Sequence, residues 1–241
     1  MTIKIGDKFT SARGHSAIVV EYVNNKNITV EFPSGHREVH QGGNLTRGKI
    51  KDKGLPTTHG VGVLGYEPVN VKEQSYVTWS NMLRRVHFPK EGAESHAYGD
   101  CNVTPEWLYF LNFKDWFNNQ VFEKGYHLDK DLLIKGNTIY CPERCVFLPQ
   151  EINKFLGNRA RDRGEWPLGV SYKTANCKWD AKLSIDGKSV YLGLFTSPED
   201  AFTCYKIAKE ADAKRLAKFW KDKIDPRAFE ALMRFEVSID D

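Results

Sequence analysis

The sequence predicts a multi-domain α+β protein, assembled from small modules rather than one large core. Three observations carry that expectation. Residues 1–57 alternate short β-prone runs with turn residues. Residues 76–156 combine apolar stripes at helical spacing with brief strand runs. Residues 167–241 pass from three period-two segments into a long segment of helical period. A chain of 241 residues is long enough for two or three such units.

In the first module, Ala17–Val23 and Ile28–Phe32 read as strands, with Asn24–Asn27 between them as a turn and Pro33-Ser34-Gly35 as the next. Short strands punctuated in this way predict a small barrel, similar to KOW and Tudor-like barrels and available to a host protein. Arg47, Lys49, Lys51 and Lys53 follow at alternate positions, so an extended chain turns them to one side, where they meet phosphates or keep an edge soluble. Residues 58–75, punctuated by Gly60, Gly62, Gly65 and Pro68, read as a linker.

In the middle module, Trp79, Met82, Leu83 and Val86 form one helical stripe. Thr104-Pro105-Glu106 starts a second helix, carrying Trp107, Phe110, Leu111 and Phe117. These aromatics read as core filling. Then His127-Leu128-Asp129 forms a strand running into Lys130-Asp131, a loop contains Gly136-Asn137, Val146–Leu148 is a second strand, and a helix bears Asn153.

Composition narrows the chemistry. The net charge of +4 permits nucleic-acid binding without demanding it. No apolar run approaches the ~20 residues of a membrane helix, and the first residues lack a signal-peptide plan, so a cytoplasmic protein without membrane contact is expected. Five cysteines at irregular spacing argue against a disulfide framework. Cys141 and Cys145 have no matching Cys/His pair, so no structural zinc is expected.

The last module is the most specific. Val170 and Tyr172, then Trp179, Ala181, Leu183 and Ile185, alternate as half-buried strands, and Asp186-Gly187 is a hairpin signal. Ser197-Pro198-Glu199-Asp200 opens a helix with cap, proline and acids in favoured places. Their order and spacing, with Gly169, Tyr191-Leu192-Gly193, Phe195, Ala201, Tyr205 and Ala208, resemble the plant ethylene-response-factor (Apetala-type) DNA-binding domain, found also in phage homing endonucleases. The resemblance implies a three-stranded sheet laid in the major groove of duplex DNA and braced by a helix. It assigns Ser171, Lys173, Lys182, Ser184, Ser189 and Tyr191 to the groove side, and Lys178 and Lys188 to phosphates. Lysine and serine discriminate bases less than arginine does, so modest sequence preference is expected. Arg159, Arg161 and Arg163, in the basic linker 157–166, would follow the backbone or enter a minor groove.

The strand, loop, strand and helix of residues 126–153, with Pro142-Glu143-Arg144-Cys145-Val146 between the strands, resemble the ββα-metal core of HNH (His-Me finger) nucleases. The resemblance implies magnesium or another divalent cation, with Asp129 and Asn153 as ligands. Asp131 shares the strand parity of Asp129 and is a further candidate ligand. The family's general base is a histidine directly after the acid, where this chain has Lys130. Lysine at its unperturbed pKa of about 10.4 is no base, so Lys130 needs a lowered pKa or a charge-stabilising role, and His127 is the nearest imidazole. The expected protein is a phage HNH-type homing endonuclease; the alternative is a catalytically inactive DNA-binding regulator or host-takeover factor.

Overall fold

The structure is a computed structural model and describes residues 2–92, 98–157 and 165–240. Arg159, Arg161 and Arg163 lie outside the described residues. The fold is mixed α+β, and the chain divides into two compact units, Met1–Asn118 and Asn119–Asp241. No helix among the described residues is long and apolar enough to cross a membrane.

The first unit opens with strands β1 (Lys8–Thr10), β2 (Ser16–Asn24), β3 (Asn27–Glu31) and β4 (Arg37–His40) in an antiparallel meander of order β1-β2-β3-β4. The expected barrel is instead an open sheet. Its apolar face (Phe9, Ala17, Val19, Ile28, Val30) is covered by Leu45 of helix α1 (Gly42–Thr46) and by Ile50, which do the work a closing strand would do. Beyond α1 the chain forms no strand, and Ile50 and Asp52 are buried while Lys49 and Lys51 are exposed.

Helix α2 (Gln74–His87) buries Trp79, Met82 and Leu83, as its stripe predicts. After the short strand β5 (Asn102–Val103), the helix expected from Thr104 is divided into a 3₁₀ turn, Pro105–Leu108, and helix α3 (Phe110–Asn118). The break at Tyr109 has a clear cause: Val63 donates its N–H to the Leu108 carbonyl (2.8 Å) and accepts from Phe110 N–H (2.8 Å). Those long-range bonds replace helical ones. The Trp79 indole donates to the Trp107 carbonyl at 2.6 Å, which satisfies its buried N–H.

In the second unit, β6 (His127–Asp129) pairs antiparallel with β8 (Val146–Leu148), while β7 (Ile139–Tyr140) lies in the connection. Helix α4 (Gln150–Leu156) follows β8 directly. Strands β9 (Val170–Lys173), β10 (Lys178–Ile185) and β11 (Lys188–Phe195) form an antiparallel sheet of order β11-β10-β9. Asp186 (φ 50°) and Gly187 (φ 78°) turn the hairpin with both central residues left-handed, the geometry an Asp-Gly pair favours.

Helix α5 (Pro198–Trp220) starts where Ser197 Oγ accepts the Asp200 N–H (3.1 Å). Its first half sets Ala201, Phe202 and Tyr205 against Ala181 and Leu183 of the sheet. Its second half sets Ala213, Leu216 and Ala217 against Val146, Leu148, Ile152 and Phe155, with Ala228 and Leu232 of helix α6 (Pro226–Met233) completing that core. One long helix thus serves two apolar clusters, which is why residues 119–156 share a unit with the C-terminal sheet.

Candidate nucleic-acid interface and catalytic centre

The register of the sheet sorts its residues onto two faces. Lys178 stands opposite Lys173, Asp180 opposite Ser171, Lys182 opposite Tyr191 and Ser184 opposite Ser189. The intervening Trp179, Ala181, Leu183 and Ile185 face the α5 cluster. Because successive strand side chains alternate, Ser171, Lys173, Lys178, Lys182, Ser184, Ser189 and Tyr191 share the outer face. Tyr191 is 59 % exposed there, a flat apolar ring among cations and hydroxyls. Lys188 pairs with Ile185 and so has the opposite parity, at the exposed hairpin tip. Behind the sheet, Gly169 (φ +76°) packs so tightly that a Cβ would come within 2.1 Å of the Tyr205 ring.

Sequence reading missed the acid at the centre of this face. Asp180 is only 2 % exposed. It accepts the Ser171 hydroxyl at 2.5 Å and pairs with the Lys182 ammonium at 3.1 Å and the Lys173 ammonium at 3.5 Å. Burial pushes its carboxyl upward, but the Ser171 bond and the two lysines outweigh this and hold it below the usual aspartate range. The visible signal was Asp180 and Lys182 two apart on one strand, hence on one face.

On the other cluster, β6 turns His127 and Asp129 to one side, with buried Leu128 between them. His127 is exposed, and its Nδ1 lies 3.3 Å from the amide nitrogen of Asn153 on α4. That is long for a nitrogen–nitrogen hydrogen bond, so the contact is weak and a water can replace it. Asp129 Oδ1 accepts from the N–H groups of Asp131 (3.0 Å) and Leu132 (2.8 Å). This Asx turn ends the strand, so the alternation that aligned Asp131 with Asp129 stops there and leaves Asp131 on an exposed turn. Burial pushes the Asp129 carboxyl upward, and the Asp131 charge adds to it against the two backbone bonds.

Lys130 is 8 % exposed. Its ammonium donates to Asp131 Oδ1 (2.7 Å) and to the Asn137 carbonyl (2.8 Å). The Asn137 amide returns bonds to the Lys130 and Ile139 carbonyls, both 2.8 Å, and accepts from Arg144 at 3.1 Å. Lys130 thus ties the loop together. Arg227, which sequence reading did not single out, donates to the carbonyls of Pro142, Glu143 and Cys145 at 3.2–3.3 Å and is itself held by Asp225. Lys209 of α5 donates to the Phe155 carbonyl at the end of α4 (2.5 Å) and lies 3.6 Å over that residue's ring. Burial draws its ammonium down to about 8, against the pull of Asp212.

Among the described residues no three His, Cys, Asp or Glu side chains gather as a metal cluster. No protein-family model, curated protein or solved structure matches the chain.

Proposed function

We propose that this protein binds duplex DNA through the outer face of the C-terminal sheet and hydrolyses DNA phosphodiesters at the His127–Asp129–Asn153 cluster, as a phage-type HNH endonuclease of the cytoplasm. The observation that supports it most is the common face of Ser171, Lys173, Lys182, Ser184, Ser189 and Tyr191, with the opposite face buried against α5. Lysines on such a face neutralise phosphates and release counterions, while the hydroxyls and the Tyr191 ring offer hydrogen bonds and contact area to groove edges.

A hard divalent cation such as magnesium needs only one or two protein oxygens beside water and phosphate. Asp129 and Asn153 would hold it, and the raised pKa of the desolvated Asp129 marks a carboxylate that a neighbouring cation would favour. When bound, such a cation stabilises the charge of the phosphoryl transition state and the leaving oxygen. His127, exposed and on the same side of β6, takes the proton of the attacking water at Nδ1. Lys130 and Asn137 hold the loop behind Asp129, and Arg227 fixes the 142–145 carbonyls.

Lys130 in the family's base position favours a second reading, a DNA-binding regulator with an inactive core. Supercoiled-plasmid nicking with and without magnesium, on wild type, Asp129→Ala and His127→Ala, separates the two. Magnesium-dependent nicking lost in both variants, with gel retention of duplex intact, supports the nuclease. Retention without nicking supports the regulator, and salt-insensitive or absent retention removes both.

A further inference from the structure

The N-terminal unit carries a second concentration of positive charge that the proposed chemistry does not use. A cavity of about 430 Å³ opens there, lined by Arg13, His15, Pro56, Thr57, His59 and Gly60. Arg13 makes no ion pair among the described residues, and neither does Lys51. These two cations nevertheless lie near one another. Burial, then Arg13, then Lys53 draw the Lys51 ammonium below its ordinary value, and no acid is among the causes. Lys53 is answered by Glu38 at 3.2 Å; Arg13 and Lys51 are not answered. Like charges left together without a counter-charge are costly unless a ligand supplies it.

The lining also contains unused polar atoms. His15 is 9 % exposed, and its Nδ1 has no hydrogen-bond partner. The buried Thr57 hydroxyl is likewise unpartnered. By contrast, the other lining imidazole is occupied, since His59 Nε2 meets Ser80 Oγ at 3.0 Å. A native structure rarely leaves such atoms unsatisfied except where a water, ion or ligand completes them. The set therefore combines a forked guanidinium, a hydroxyl and an imidazole nitrogen beside a second cation. That combination matches a phosphate group, which brings negative charge and several acceptor oxygens together.

We infer that the Arg13–His15–Thr57 cavity binds a phosphate group, with Arg13 as the principal contact. The site lies wholly within Met1–Asn118 and stands independently of the sheet face. The test is calorimetric titration of inorganic phosphate into the full-length protein at constant ionic strength. Wild type should give a saturable isotherm. Arg13→Ala should weaken it by about tenfold or more, as expected for a lost charge-assisted bond, and Thr57→Val by a smaller factor. Lys182→Ala, on the sheet, should leave it unchanged while weakening duplex retention, so failure here and failure of the DNA-binding reading are distinguishable. Arg13 is exposed, so its loss should not unfold the unit. Adding duplex DNA then identifies the source. Competition with inorganic phosphate in wild type assigns the group to a nucleic-acid backbone, and its absence assigns free phosphate or a small phosphorylated molecule. No saturation in wild type, or identical isotherms for wild type and Arg13→Ala, overturns the site.

Discussion

Replacing Asp180 by asparagine should move stability and DNA retention in opposite directions. The carboxylate is 2 % exposed and accepts one hydroxyl and two ammonium groups. The Ser171 bond, made to a buried charge, is worth about 1.5–3 kcal/mol. The two lysines are 41 % and 46 % exposed, so solvent screens their pairing and each adds at most about 0.5 kcal/mol. Asparagine retains part of the hydrogen bonding, so the expected loss at neutral pH is about 1–2 kcal/mol. Denaturant unfolding measures it. The pH dependence checks its origin. Because the folded carboxyl is held below its ordinary value, its contribution is present above the unfolded pKa and is lost as pH falls through the folded one. The gap between wild type and Asp180→Asn should therefore close on acidification. Meanwhile Lys173 and Lys182 are released to phosphates, and each recovered contact steepens the log–log salt dependence of duplex binding by about 0.9. An unchanged salt slope together with a stability gap that persists in acid would show that Asp180 does not organise this face.

Two further perturbations probe the support behind the sites. Gly169→Ala combines a positive φ with a Cβ driven into the Tyr205 ring, so a loss of about 2–4 kcal/mol is expected by thermal or chemical unfolding, and a loss under 1 kcal/mol would refute the packing. Lys209, drawn down to about 8 in the folded chain, releases its proton before its unfolded counterpart does. Its contribution therefore makes stability rise as pH climbs from about 8 towards the ordinary 10.5, and Lys209→Met should remove that part of the rise in unfolding curves measured across the range.

Features with a short-range cause were legible before any coordinates. The Asp186-Gly187 hairpin rests on two residues able to take positive φ. The start of α5 rests on Ser197, Pro198 and Asp200 within one turn. The outer face of the sheet was expected from the family resemblance, and the observed register agrees, since alternation along β10 and β11 puts Lys182, Ser184, Ser189 and Tyr191 on one side. The stripe of α2 follows from helical spacing. The candidate site was less legible. Asp129, His127 and Asn153 lie on the expected elements, but the parity argument for Asp131 failed where the Asx turn ended β6, and nothing in the sequence tied Lys130 to Asn137 or Arg227 to the 142–145 loop.

Local chemistry therefore settled the strands with clear alternation, the Asp-Gly turn and the capped start at Ser197, since each depends on neighbours a few positions away. The folded chain settled the rest. Val63 splits a helix at Tyr109, Leu45 and Ile50 cover a sheet that does not close, and α5 joins two apolar clusters into one unit. Asp180 gathers Ser171, Lys173 and Lys182 into one charged group. Each of these outcomes depends on a partner distant in sequence or on burial; strand alternation puts Asp180 and Lys182 on one face but carries no information about the burial of Asp180 or the rest.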